Sequence, residues 1–205
     1  MNQHFLQSSA WEKFQQSLGR KVFHNRGEGW EYFAILEHGT GNSRLYCPFG
    51  PTATNEKNLQ LALKDLADLG KKLGITFLRV GPIKPTFSKV LSDENWKKAT
   101  YVHLQPEHTH VINLQQPEEE IIANMAQPVR NCYRNYYKKG VMVHQSQNPD
   151  DIKYFLELIH EVAKRTGMSP HPDSYFHKQA GSLLPSKDAS FWYATYDNKV
   201  IATAL

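Results

Sequence analysis

The sequence predicts an α+β fold, a mixed β-sheet flanked by helices, and three stretches carry that expectation. Residues 21–49 read as three strands broken by turn signals, residues 55–82 as an amphipathic helix followed by a strand, and residues 148–205 as two helices and a β-hairpin. The first stretch divides into KVFHNR (21–26), WEYFAILEH (30–38) and SRLYCPF (43–49), separated by RGEG and GTGN. Short glycine-bearing breaks between runs rich in aromatic and branched residues predict an antiparallel meander. After the break Pro48-Phe49-Gly50-Pro51, Leu59, Leu63, Leu66 and Leu73 recur at helical spacing behind Asn55, a good N-cap, and ahead of Gly74, a good stop. The apolar face of that helix should lie on the sheet. The run ITFLRVGP (75–82) then reads as a buried strand, in which Arg79 would be a costly isolated charge and is expected to pair with a carboxylate or carbonyl.

Further along, a short helix is expected over 87–91, a strand around 100–104, a firmer strand in HTHVINL (108–114), and helices over 117–125 and 128–139. A short strand, VMVHQ (141–145), follows Gly140. Asn148-Pro149-Asp150 opens a helix with Ile152, Phe155, Leu156, Ile159 and Val162 on one face. Pro172-Asp173 opens another, to about residue 184, and the hairpin 190–205 turns at Asp197-Asn198, its return strand ending at Leu205 without a neighbour to cover it.

Composition narrows the function classes. The 205 residues are 40% hydrophobic and 12% aromatic, enough for packed cores, and no apolar run approaches the roughly 20 residues that cross a bilayer. The N-terminus, MNQHFLQSSAWEKF, lacks the basic-then-apolar layout of a secretion signal, so a cytoplasmic protein is expected. Cys47 and Cys132 lie far apart with no Cys/His ligand spacing, which argues against a disulfide framework and a zinc site; His108 and His110 lack a third ligand within reach. No activated nucleophile of the GxSxG kind occurs either.

The net charge of +4 is mild, and its distribution matters more. Arg130, Arg134 and Lys138 are spaced four apart and would form one positive stripe on a helix, with Tyr133 and Tyr137 beside it at the same spacing. Cations interleaved with rings suit a polyanion that carries flat groups, so phosphate or tRNA binding is the functional reading. A solvated helix face is the plain one.

The runs FLQSSAWEKFQQSLGRKV near the start, PFGP at 48–51, LRVGP at 78–82, THVINL ahead of PVRNCYRNYYKKGVMV, and AKRTGMSPHPDSYF at 163–176 together resemble the FemABX peptidyltransferase family. The resemblance implies two acetyltransferase-like (GNAT-like) domains, the first nearly complete over 1–146 and the second, 147–205, only begun. It implies transfer of an amino acid from aminoacyl-tRNA to the stem-peptide amino group of a peptidoglycan precursor, building the interpeptide bridge of the cell wall. The partners implied are aminoacyl-tRNA as co-substrate, a lipid-linked or UDP-linked muropeptide, and peripheral contact with the cytoplasmic membrane face. No cofactor and no metal is implied.

An ester of tRNA is already activated, so positioning and charge stabilisation can carry its aminolysis without a protein nucleophile. The family's muropeptide-binding positions fall, by alignment, at Gln15 (with Lys13 nearby), Thr76, Gly81, His171 and Tyr175; of these only the tyrosine keeps the family's residue. Catalytic residues are not identified. Two rivals remain open at this stage. A coenzyme-A-dependent N-acyltransferase should carry a Gln/Arg-x-x-Gly-x-Gly/Ala loop before a helix, and none occurs in these residues. A non-catalytic RNA-binding or partner-binding module would use the basic tyrosine helix alone.

Overall fold

A computed structural model describes residues 4–82, 84, 86–99 and 110–205. The chain divides into two compact units, Met1–Gln105 and Pro106–Leu205. Both mix helices with sheet, as the sequence predicts.

In the first unit a 3₁₀ turn, Phe5–Gln7, leads into α1 (Ser9–Ser17), capped by the Ser8 hydroxyl, which accepts from the Trp11 amide. The meander follows as β1 (Lys21–Gly27), β2 (Trp30–Gly39) and β3 (Asn42–Cys47), antiparallel throughout. A two-residue strand, β4 (Thr52–Ala53), returns to pair with the start of β2. Next comes α2 (Glu56–Leu73), with the Asn55 side chain accepting from the Asn58 amide at one end and left-handed Gly74 at the other, as expected.

The apolar stripe of α2 lies on the sheet as predicted: Leu66, Leu69 and Leu73 pack with Tyr32, Ala34, Leu45 and Cys47, while Leu59 and Leu63 join Ala53, Phe87 and Val90 of α3 (Phe87–Asp93). The strand after α2, β5 (Phe77–Val80), runs parallel to β3, so the sheet is mixed, in the order β1-β2-β3-β5. Here the expectation of a fully buried strand is corrected. β5 ends the order among the described strands, Phe77 is 42% exposed, and Arg79, opposite Tyr46, is half-buried. Arg79 keeps a partly exposed side chain there, and its charge lies near the Tyr46 phenol.

In the second unit, α4 (Glu118–Asn124) and α5 (Gln127–Asn135) are followed by a 3₁₀ turn, Tyr136–Lys139, and then by β6 (Met142–Ser146), α6 (Ile152–Thr166), α7 (Asp173–Leu183), β7 (Phe191–Tyr196) and β8 (Lys199–Ala204). The strands form an antiparallel sheet in the order β6-β7-β8. Ile152 and Leu156 of α6, Ala180 and Leu184 from α7 and its end, and Phe191 of β7 make the core. The hairpin turns at Asp197 and Asn198, both at positive φ (48° and 59°), the turn whose twist suits a two-residue loop.

Two sequence expectations differ from this architecture. β6, assigned by the sequence to the end of a first domain over 1–146, hydrogen bonds to β7, some fifty positions away in the chain, a pairing that local pattern cannot reveal. Residues 110–113 of the expected strand HTHVINL have no regular structure. Leu114 lies in a turn, while residues 108–109 and the strand expected around 100–104 lie outside the described residues.

Candidate functional site

The basic helix is shorter than its periodicity suggests. α5 ends at Asn135, and Tyr136–Lys139 tighten into a 3₁₀ turn closed by left-handed Gly140. At three residues per turn instead of 3.6, Lys138 leaves the line set by Arg130 and Arg134, so the three do not form one stripe. Their environments differ as well. Arg130 is half-buried and its Nη1 donates to the Ala123 carbonyl (2.8 Å) at the end of α4. Tyr133, 45% exposed, donates its hydroxyl to the Glu118 carboxylate, which raises the phenol's pKa above its usual value. These two contacts clamp α5 against α4 and leave Arg134 fully at the surface, without a hydrogen bond or ion pair among the described residues. Lys138 lies over the Tyr137 ring at 5.8 Å, and Tyr136 and Tyr137 meet edge to face. Exposed cations next to exposed rings therefore survive in the structure, but on Arg134, Lys138, Tyr136 and Tyr137.

A second group surrounds the start of α7. The His171 ring stacks on Tyr175 (centroids 4.2 Å, 18° between planes), which in turn meets Phe176 edge to face. Phe176 packs on Phe155 of α6, and His160 of α6 contacts Asp173 in the first turn of α7 (2.8 Å). His171 and Tyr175, singled out separately in the sequence, are thus brought together as one flat, partly exposed surface seated on the hydrophobic core.

Lys13 and Gln15 of α1 part company. Lys13 is exposed, whereas Gln15 is 1% exposed and its Oε1 accepts from Arg20 Nη1 at 2.7 Å. A buried amide cannot touch a bound substrate; it sets the position of Arg20 instead.

Sequence reasoning missed a second buried glutamine. Between β4, which pairs with Trp30 and Glu31, and β3, which pairs from Ile35 onward, one side of β2 lacks a neighbouring strand. The Gln7 side chain fills the gap as a strand would: Phe33 N–H donates to its Oε1 (2.8 Å), and its Nε2 donates to Phe33 O (3.0 Å) and Pro48 O (2.6 Å). Among the described residues no group of three or more His, Cys, Asp or Glu side chains could hold a metal ion, and no helix is long and apolar enough to cross a membrane.

Each unit is thus a sheet covered by helices, an α+β arrangement. The model of the FemAB family matches residues 96–199, just over half of the chain, which therefore belongs to that family. The matched stretch contains α4, α5, α6 and α7 and with them both groups of exposed candidate residues in the second unit. Among solved structures, the crystal structure of FemX superposes on 96% of this chain with a TM-score of 0.79 at 17% identity, and supports the GNAT-like fold of the family. The C-terminal domain of a protein named as a lysylphosphatidylglycerol synthetase in Agrobacterium fabrum matches at TM-score 0.53 and 12% identity over 98% of the chain and 59% of its own length. A conserved protein of unknown function from Bacteroides thetaiotaomicron matches at 0.51 and 12%, over 93% of this chain and 62% of its own length. The chain spans about half (54%) of the FemX length. No curated protein matches the sequence significantly.

Proposed function

We propose that this chain is part of a cytoplasmic transferase of peptidoglycan synthesis, one that moves an amino acid from aminoacyl-tRNA to the stem-peptide amine of a muropeptide and so builds the interpeptide bridge. The observation that carries the reading is the FemAB match itself, which spans the exposed cation-and-ring surface of α5 and the His171–Tyr175 stack. The FemX fold across nearly the whole chain supports it.

In this reading the roles divide by chemistry. Arg134 and Lys138, beside the Tyr136 and Tyr137 rings, suit a phosphodiester backbone with accessible bases, the tRNA. His171 and Tyr175 offer a flat face and polar ring atoms to the muropeptide; Lys13, taken by itself in the first unit, is an exposed cation suited to a substrate phosphate. Gln15 acts indirectly, through Arg20. The ester of the charged tRNA reacts with a free amine, so the protein's task is to align the two and to exclude water. The acceptor can be lipid-linked, which would bring the protein to the cytoplasmic face of the membrane, or UDP-linked.

The test is transfer of a labelled amino acid from charged tRNA to each acceptor in turn. Label appearing in either muropeptide supports the reading, and the acceptor that works decides between the two forms. No transfer to either, with acylation of an amine by an acyl-coenzyme A instead, overturns it.

A further inference from the structure

β1 ends the order of the first sheet among the described strands, and its seven residues pair one for one with β2. Which of its backbone groups face outward follows from the hairpin. Glu28 and Gly29 form a two-residue turn, so the flanking residues Gly27 and Trp30 exchange hydrogen bonds; the alternation of an antiparallel ladder then makes Asn25↔Tyr32, Phe23↔Ala34 and Lys21↔Leu36 the other bonded pairs. Val22, His24 and Arg26 therefore turn their N–H and C=O groups away from β2. The Arg26 amide is already engaged, donating to Asn25 Oδ1 at 2.9 Å, whereas those of Val22 and His24 have no partner among the described residues.

Lys21, Phe23 and Asn25 share the sheet face that carries Tyr32 and Ala34 under α2, and an open cleft of about 350 Å³ lies there between β1 and α2, lined by Phe23, Asn25, Asp65, Asp68, Leu69 and Lys72 among others. Its charges are sorted along the strand. α2 runs from the β1–β2 turn, where a Cβ on Gly29 would meet Asn58, toward the β2–β3 turn, where the Thr76 amide donates to Ser43 O. Asp65 accordingly stands at Asn25, whose Nδ2 donates to its Oδ1 at 3.0 Å, and Asp68 follows about one turn on, paired loosely with Lys71 (3.5 Å). Lys72 lies a further turn along, toward the start of β1, where the Lys21 Nζ sits 5.6 Å from the Phe23 ring centroid. Between the acidic and basic ends, Phe23 and Leu69 form an apolar middle.

We propose that the free edge of β1 takes an extended segment of a partner protein as an additional antiparallel strand, with side chains in the order basic, any, apolar, any, acidic. Main-chain bonds to Val22 and His24 hold the segment, and alternate side chains select it. Its residue opposite Asn25 meets Asp65 and Asp68, the one opposite Phe23 rests on Phe23 and Leu69, and the one opposite Lys21 meets Lys21 and Lys72. An antiparallel partner passes Asn25 before Lys21, so the basic residue comes first in its sequence. The inference rests on the first unit alone, uses none of Lys13, Gln15 and Arg20, and is independent of the transferase reading.

The probe is a fluorescent, end-capped peptide, Thr-Lys-Thr-Val-Thr-Glu-Thr, titrated with the full chain at fixed ionic strength and read by anisotropy. In the proposed register the threonine before valine lies opposite His24 and points its N–H at β1, whereas the valine N–H points away. Saturable binding is expected, weakened about tenfold by N-methylation of that threonine and unchanged by N-methylation of the valine, a comparison that leaves the protein unaltered. Asp68→Lys, at an exposed position, should weaken binding about threefold, and a peptide with glutamate in place of lysine should restore it. Amide hydrogen exchange at Val22 and His24 should slow when the peptide is bound. Absence of saturable binding overturns the proposal, as does equal loss from the two N-methylations, binding without slowed exchange at Val22 and His24, or equally tight binding of the reversed peptide Thr-Glu-Thr-Val-Thr-Lys-Thr.

Discussion

In the first unit β2 is covered on both faces, Tyr32, Phe33, Ala34 and Ile35 all being at most 2% exposed, and the stretch of its backbone without a strand neighbour is closed by a buried glutamine. In the second unit β7 is fully buried at Phe191 but 43% exposed at Trp192 beside it. The polar side chains follow the same division. Gln7 and Gln15 work inside the first unit, whereas Arg134, Lys138 and His171 of the second stand at the surface. Substitutions of polar residues should therefore cost the first unit stability and the second unit binding.

The sharpest way to break that contrast is Gln7→Leu. Similar volume leaves no large void, but Phe33 N–H, Phe33 C=O and Pro48 C=O lose their partner while staying buried. At about 1–3 kcal/mol for each unsatisfied group, with some relaxation, a loss of about 4 kcal/mol is expected. Amide hydrogen exchange should show protection falling at Phe33; protection retained there would mean that the gap closes without the glutamine.

A somewhat smaller effect is expected from Gly50→Ala. A Cβ at that position would sit 2.7 Å from the Gln7 side chain and 2.8 Å from Cys47 Sγ, both buried and neither free to move away. Overpacking of this kind costs about 2 kcal/mol, read as a shift of the urea midpoint. Substituting Gly41, whose Cβ would meet nothing within 4 Å, tests backbone strain alone because its φ is +75°. A loss at Gly50 no greater than at Gly41 would show that crowding against Gln7 is not the cause.

Within the second unit Arg130 and Arg134 offer a paired test, four residues apart on one helix. Arg130→Gln removes the hydrogen bond to the Ala123 carbonyl and should cost about 1 kcal/mol of stability. Arg134→Gln should leave stability unchanged and, if the surface contacts tRNA phosphates, lower the slope of log affinity against log salt by about 1. Equal stability losses in both variants would erase the distinction between them.

The sequence made the local elements legible because their signals are local: the Asn55 and Gly74 caps, the leucine stripe of α2 and the Asp197-Asn198 turn all stand where pattern and turn chemistry put them. What it concealed depends on contacts between distant segments. The partner of β6 is β7, the parallel neighbour of β3 is β5, reached only after α2, and the gap beside Phe33 exists because β3 and β4 stop short of each other on β2. The candidate site divides in the same way. His171 and Tyr175 stood out singly in the sequence, but His171 precedes α7, so their stacking is a tertiary fact, just as the end of α5 at Asn135 broke a stripe that spacing alone had drawn through Lys138. Gln15 was found by alignment with a binding position, but its burial beneath Arg20 is a tertiary fact.

The smallest expected effect concerns His4, which completes the region around Gln7. Its ring stacks on Phe49 at 3.7 Å, and its Nδ1 accepts from the Leu6 amide at 3.1 Å, capping the turn that presents Gln7 to β2. Burial lowers the pKa of the ring below its usual 6.5, because the imidazolium would be poorly solvated there. The folded protein then binds fewer protons than the unfolded chain as the pH falls through 6.5, so folding loses stability on acidification until the depressed native pKa is passed. Above pH 6.5 the ring is neutral in both states and the contribution is fully present. His4→Asn keeps a side-chain acceptor for Leu6 N–H but does not titrate in this range, and should flatten this part of the stability profile between pH 7 and 5. If the profile of the variant parallels that of the unaltered protein, the acid sensitivity of this corner arises elsewhere, and the turn holding Gln7 is secured without His4.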